Sequence, residues 1–352
     1  MKRSRTRKGA PGIVEVAQRA GVSPATVSRF FNTPDVVKPG TKKRIEQAAA
    51  DLGYIRDRMA GALHNRFSGT IGLIVPTIDN AIFAELIEAF AAELRKHDRT
   101  MLIAAHGYDL SLEVAIIRSL LERRIDGVAL IGQQHETASL EMLAVRNVPV
   151  LAAWNYRADS PIPCIGADNV EAGFRVTNHL LDRGYRDIAL LFPPVTANDR
   201  AQDRLTGALK ALATTRKALP ANRFIETTYD IGVAKQAVID LLTDDPPAAL
   251  VCGNDIIAQG AVYACQSLGV KIPDDIAIIG IGDFRGSAHM EPALTTCRLP
   301  AREIGRVAAK RLATEMPMMR GGEPERVLVK AALVERGSVG SWTGNSSLSA
   351  RQ

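Results

Sequence analysis

The sequence predicts an α/β protein with two parts: an N-terminal all-α head and a larger body of parallel sheets covered by helices. Three observations lead there. Basic charge is concentrated at one end, apolar residues recur at helical spacing between residues 13 and 52, and from residue 70 short apolar runs alternate with helical patterns. A chain of 352 residues is too long for one ordinary core. With 46% hydrophobic and 23% charged residues it is globular along most of its length.

The net charge is +6, and its location is informative. Residues 1–66 hold 14 Lys and Arg against 5 Asp and Glu, a net +9, whereas the other 286 residues hold 30 against 33, a net −3. A compact basic module on a mildly acidic body is the charge pattern of a polyanion-binding head. Only residues 1–12 also fit a disordered basic tail, because the apolar pattern begins after them.

In the head, Ile13-Val-Glu-Val-Ala-Gln-Arg-Ala20 has helical spacing and Gly21-Val22 interrupts it. Ser23 is a candidate cap for a second helix with Pro24 in its first turn, where a missing N–H costs nothing. Ala17 is small enough for a close helix crossing, Gly21 accepts a left-handed turn, and Val27 anchors the second helix. This is a helix-turn-helix arrangement, whose second helix enters the DNA major groove. A third helix is expected over 41–52, capped by Thr41 and stopped by Gly53. On the recognition helix, the residues expected to meet DNA are Ser23, Pro24, Ala25, Thr26, Ser28, Arg29 and Asn32.

In the body, strands are expected at 71–75, 101–104, 127–131, 150–153, 188–192, 249–252 and 276–281. Helices are expected at 83–97, 112–123, 172–183, 200–213, 232–242, 256–268 and 302–314. Two doubly wound sheets suit this count better than one. Ligands of such sheets bind beyond the carboxyl ends of the strands. That rule selects Asp79, Asn80 and Phe83, His106 and Tyr108, Gln133 and Gln134, Trp154 and Asn155, Arg200 and Arg204, and Asn254 and Asp283, a polar and aromatic set suited to a hydroxylated small molecule. The residues expected to bind the effector are Asn80, Phe83, Trp154, Arg204, Tyr229, Asn254 and Asp283. Asn80, Asn254 and Asp283 equally suit caps or turns, and Phe83 and Tyr229 equally suit core packing. Arg200 reads as a solvated helix end, and His106 and Tyr108 are weaker candidates on the same loops.

The remaining chemistry is sparse. The cysteines Cys164, Cys252, Cys265 and Cys297 show no C-x-x-C pairing and read as small buried hydrophobes. No metal, cofactor or catalytic residue is expected. Gly280-x-Gly282-x-x-x-Gly286 with Glu303 further on misses the dinucleotide fingerprint by one residue and lies far from the first βαβ unit. A nucleotide-dependent enzyme fused to a DNA-binding head is the reading that this near-match leaves open. No apolar run approaches the roughly 20 residues of a membrane span, and the basic N-terminus leads into no apolar stretch. A cytoplasmic location and no membrane partner are therefore expected.

The segments Val16-Ala17-x-x-Ala20-Gly21-Val22-Ser23-x-x-Thr26-Val27-Ser28-Arg29-x-x-Asn32 and Ala49-x-x-Leu52-Gly53-Tyr54 resemble the lactose/galactose-repressor family of bacterial transcription regulators. The resemblance continues through 69–76, Asp126-Gly127-Val128, Asp168-Asn169, His179 to Ala189, Asn254-Asp255 and Pro292-x-Leu294-Thr295-Thr296, and covers roughly 13–337. It implies two Rossmann-like subdomains of periplasmic-binding-protein type with an effector cleft between them. It also implies a homodimer on pseudo-palindromic double-stranded operator DNA, and a sugar or sugar acid as effector.

The expected boundaries are 1–57 for the head, 58–68 for a hinge, 69–337 for the body and 338–352 for a flexible tail without leucine heptads. Within the body, one subdomain takes about 69–164 and 295–322, the other about 165–294 and 323–337. In the family the hinge is a short helix that wedges a leucine into the minor groove, here Leu63. Gly61 replaces a customary Arg and weakens such a helix by about 1 kcal/mol. Arg204 precedes Leu205-x-Gly207 as the pocket arginine does in the family. The hydroxyl-binding carboxylate usual after the last long strand is replaced by Gly282, which moves the cleft towards anionic ligands. With Ser28-Arg29-Phe30, His106-Gly107-Tyr108 and Met290-Glu291-Pro292, it is similar to the gluconate-type branch. The implied function is a repressor of carbohydrate or sugar-acid catabolism released by an inducer, the alternative being a corepressor-dependent regulator of another pathway.

Overall fold

The computed structural model describes residues 11–56, 67–216, 218–314 and 323–342. The chain divides into two compact units, one ending at Ser68 and the other beginning at Gly69.

The first unit is three helices around a small core. Helix α1 (Ile13–Ala20) ends at Gly21, whose φ of 64° is the left-handed turn the sequence required. Helix α2 (Pro24–Asn32) starts from Ser23, whose side chain accepts a hydrogen bond from the Thr26 amide. Val16, Ala17, Ala20 and Val27 pack against Ile45 and Ala48 of α3 (Pro39–Leu52). The expectation that Thr41 caps the third helix is corrected. That helix begins at Pro39, a residue preorganised for a first turn, and the Thr41 amide already bonds to the Lys38 carbonyl. Gly53 closes it in the left-handed conformation.

The second unit holds two six-stranded sheets. The first sheet has the order β11-β5-β4-β3-β1-β2, from β1 (Thr70–Val75), β2 (Thr100–Ala105), β3 (Gly127–Ile131), β4 (Val150–Asn155), β5 (Cys164–Ala167) and β11 (Arg326–Leu328). Its helices are α4 (Ala81–Lys96), α5 (Glu113–Glu122), α6 (Thr137–Val145) and α11 (Ala301–Thr314). The second sheet has the order β12-β10-β9-β8-β6-β7, from β6 (Ile188–Phe192), β7 (Phe224–Glu226), β8 (Ala249–Cys252), β9 (Ala277–Gly282), β10 (Thr295–Arg298) and β12 (Ala332–Val334). Its helices are α7 (Asn169–Asp182), α8 (Asp199–Ala213), α9 (Ile231–Asp244) and α10 (Asp255–Leu268). Every pairing is parallel except β10 with β12. The central strands are buried on both faces and therefore read as unbroken apolar runs.

Strand pairing moves the subdomain boundaries from those expected. β5 pairs with β4 and stays in the first sheet, so the chain crosses after Ala167 and not at 165. β10 pairs with β9, so it belongs to the second sheet and the return follows Arg298. The third crossing falls between β11 and β12. The chain is also packed beyond 337: Ser338 and Val339 are buried, and the Trp342 ring lies 5.3 Å from that of Tyr185. The four cysteines are buried and free. Among the described residues no helix is long and apolar enough to cross a membrane.

Helices α7 and α8 cross unusually closely. A Cβ on Gly207 would sit 1.9 Å from the Val170 carbonyl oxygen, and one on Gly173 would sit 1.9 Å from that of Arg204. Neither backbone has room for it. Gly207→Ala is therefore expected to cost about 1–3 kcal/mol through forced separation of the helices. Gly40→Ala, in α3 with nothing within 4 Å of the added carbon, is expected to stabilise the head by up to about 1 kcal/mol. Denaturation midpoints of the two variants, moving in opposite directions, check this.

Candidate functional site

On α2 the alternation of burial follows the helix. Val27 is buried, while Pro24, Ala25, Arg29 and Asn32 are exposed. Not all of the expected DNA-facing side chains are equally free. Ser23 Oγ is 2.9 Å from Thr26 Oγ1 and accepts from the Thr26 amide, so both serve the cap. Asn32 Nδ2 donates to Ser28 Oγ at 3.3 Å, and Asn32 Oδ1 accepts from Arg56. Arg56 also donates to the Phe31 carbonyl at 2.6 Å, tying the chain after α3 to the end of α2. The sequence reading missed Arg56. Leu63, with the rest of the hinge at 58–66, lies outside the described residues.

In the second unit, a small pocket lies at the carboxyl ends of the strands of both sheets. Six of the seven expected effector residues line it: Asn80, Phe83, Trp154, Arg204, Tyr229 and Asn254. Asn80 and Asn254 also cap α4 and α10, their Oδ1 atoms accepting from the Ile82 and Ile257 amides at 3.3 and 3.0 Å. The cap and cavity readings of these two residues are therefore compatible, because the cap uses the oxygen and leaves the NH2 end. Phe83 packs edge-on against Trp154 with ring centres 5.3 Å apart. Trp154 is buried, and its indole N–H has no acceptor in the protein. Its φ of 85° puts it in the left-handed region, a strain that bulky residues adopt where a site over-determines them. Tyr108, also left-handed, stacks on Tyr229 at 5.8 Å. Burial and the neighbouring Tyr229 raise the Tyr108 pKa, so it stays a neutral phenol.

Asp283 does not join this group. Its carboxylate receives Arg298 at 2.6 Å and Arg336 at 2.7 Å, and it lines a neighbouring depression. The expectation that it holds a ligand hydroxyl is thereby corrected, since its oxygens serve two arginines. Asp255 holds the loop after β9. It accepts from the Asp283 and Phe284 amides, Ser287 Oγ and Thr296 Oγ1. Gly280 and Gly282 thus lie at the end of β9, and Gly286 in the loop after it, which a buried carboxylate fastens.

Arg204 is the centre of the cavity wall. Its Nε donates to Asn169 Oδ1 at 2.7 Å and its Nη1 to the Gly253 carbonyl at 3.0 Å. It is buried, no carboxylate pairs with it, and burial pulls its pKa down. A guanidinium out of water without a counter-charge is costly. Arg200, one turn earlier, also lines the cavity and is buried, contrary to the solvated end expected of it. Behind both lies a hydrogen-bonded cluster of Asn155, Asn169, Asp199 and Asp203, of which the sequence reading missed the two carboxylates. Its signal was available: Asp199 and Asp203, like Arg200 and Arg204, stand four apart and so share a helix face.

Comparison with known proteins agrees with both units. Residues 12–57 match the family model "Bacterial regulatory proteins, lacI family", and 177–339 match "Periplasmic binding protein-like domain". The chain is 31% identical over 311 residues to the HTH-type transcriptional regulator GntR of Escherichia coli K12, covering 87% of this chain and 92% of that protein. It is 29% identical over 330 residues to the HTH-type transcriptional repressor PurR of Escherichia fergusonii, covering 93% and 96%. The crystal structure of the lac repressor dimer bound to operator and the anti-inducer ONPF superposes with a TM-score of 0.81 at 25% identity, covering 93% of this chain and 98% of that one. These relatives are regulators and not enzymes, so the near-fingerprint at Gly280 carries no catalytic reading. With a helix-turn-helix head and a two-sheet body around an effector cleft, the chain belongs to the lacI family of bacterial regulatory proteins as a ligand-responsive transcriptional regulator.

Proposed function

We propose that this regulator represses genes of sugar-acid catabolism, binding a pseudo-palindromic operator as a homodimer and leaving it when a sugar acid enters the cleft. The observation that carries the reading is Arg204, a buried cation with neutral partners only, in a cavity lined by no carboxylate. A ligand carboxylate completes it. The amide ends of Asn80 and Asn254 and the indole N–H of Trp154 are donors for hydroxyl oxygens, and Phe83 and Trp154 supply an apolar wall. Release on binding is the sign that a glycine at position 61 favours, since glycine lowers helix stability by about 1 kcal/mol wherever a helix must form. Subdomain closure on a ligand changes operator affinity only as far as the ligand distinguishes the two body conformations.

Arg204→Ala is expected to lower sugar-acid affinity by about 10–150-fold, the range of a hydrogen bond to a charged group, with operator affinity nearly unchanged. Retention of the full ligand response by this variant overturns the anion-binding role. Arg29, exposed on α2, suits guanine O6 and N7. Arg29→Ala is expected to lose about 1–3 kcal/mol of discrimination at one position of each half-site. A binding-site selection that returns the same preferences for variant and parent refutes it. Leu63→Ala is expected to weaken operator binding and reduce DNA bending while sparing sugar-acid affinity.

A further inference from the structure

Two guanidinium groups line the cavity, and taken alone they would call for two negative charges in the ligand. Their surroundings differ. Arg200 Nη1 donates to Asp199 Oδ1 at 2.7 Å and to the Ile131 carbonyl at 3.3 Å, and its Nη2 donates to Asn198 Oδ1 at 3.1 Å. Asp199 is itself buried. Its other oxygen accepts from the Gln133 amide at 2.6 Å and from Asn155 Nδ2 at 3.0 Å. Burial acts to raise its pKa, but Arg200 and these donors outweigh burial and hold it below the usual carboxylate value. Asp203, the next carboxylate, accepts from Asn155 at 2.8 Å and is matched by Arg157 at 2.8 Å. Glu113 is taken by His135 at 2.8 Å and by the Glu136 amide.

On α8 the charges therefore pair as Asp199 with Arg200 and Asp203 with Arg157, and Arg204 has no carboxylate partner. We infer that Asp199 is a specificity-determining residue that cancels the charge of Arg200, so that the cleft accepts a monoanion and discriminates against ligands with a second negative group. This rests on the sugar-acid reading above and narrows it. A second carboxylate or a phosphate would enter a buried wall whose remaining cation, Arg200, is already paired with Asp199, and would be desolvated without a free cation to meet it.

Calorimetry on the full chain with gluconate, glucarate, 6-phosphogluconate and glucose tests it. The parent is expected to bind gluconate at least about tenfold more tightly than glucarate or 6-phosphogluconate, the order of one unmatched charge. Asp199→Asn exposes the Arg200 charge and is expected to improve 6-phosphogluconate relative to gluconate by about tenfold. The double variant Asp199→Asn with Arg200→Gln removes one charge of each sign and is expected to restore the parent's ratio. Where Asp199→Asn does not fold, Arg200→Gln alone gives the converse reading: Asp199 then offsets Arg204, and gluconate loses its advantage over glucose. Equal affinity of the parent for gluconate and 6-phosphogluconate, or a ratio that Asp199→Asn leaves unmoved, overturns this inference. Binding of gluconate that still needs Arg204 would leave the sugar-acid reading standing in that event. Binding of glucose as tightly as gluconate, or of none of the acids, overturns both.

Discussion

Arg204, a buried cation with neutral hydrogen-bond partners, sets the electrostatics of the cavity between the two sheets. Arg204 is held by an amide oxygen, Asn169 Oδ1, and a main-chain oxygen, that of Gly253 at the end of β8. Neither neutralises it. Much of the surrounding structure keeps this so. Gly282 leaves the wall without a carboxylate where the family usually has one, and the next residue, Asp283, is drawn off by Arg298 and Arg336. Gly173 and Gly207 let α7 and α8 cross closely enough for Asn169, at the start of one helix, to reach Arg204 on the other. The cation is thereby fixed in direction as well as in charge, and a ligand that meets it need not order it first.

The same residues join the cleft to the contact between the two subdomains. Asn169 donates to Asn155 Oδ1 at 2.9 Å, and Asn155, on the last position of β4, donates to both Asp199 and Asp203 of α8. Asp199 further accepts from the Gln133 amide, and Arg200 donates to the Ile131 carbonyl. The helix that presents Arg204 to a ligand is thus the helix that fastens the second sheet to the first. Two side-chain amides, those of Asn169 and Asn155, thus connect Arg204 to the contact between the subdomains, the route by which a ligand charge at Arg204 would reach it under the proposed function.

The sequence showed the long elements and concealed the short ones. All seven expected strands are present: six are buried and read as continuous apolar runs, and β2, a half-exposed edge strand, is still apolar enough in Met101-Leu-Ile-Ala104 to be read. β7, β11 and β12 have three residues each and lie at or next to sheet edges, and β10 carries Thr295-Thr296 and Arg298, so no periodicity could reveal them. Those short strands decide where the chain crosses between subdomains, which is why the crossings were misplaced by several residues. Trp154, Phe83 and Arg204 could be chosen because strand ends are known ligand positions. Arg200 was misread because pairing with Asp199 buries a residue whose sequence position suggests solvent. Asn80 and Asn254 showed only that a cap or a ligand would suit them, and the structure has them capping helices at the cavity wall.

The claim on which the rest turns is that Arg204 binds the ligand's negative charge. The most direct measurement compares gluconate with gluconamide, its neutral isostere, by calorimetry on the unmodified protein. The account predicts that replacing one carboxylate oxygen by an NH2 group lowers affinity by about 10–150-fold, as expected when a buried guanidinium loses a charged partner. Equal affinity for the two molecules would contradict it.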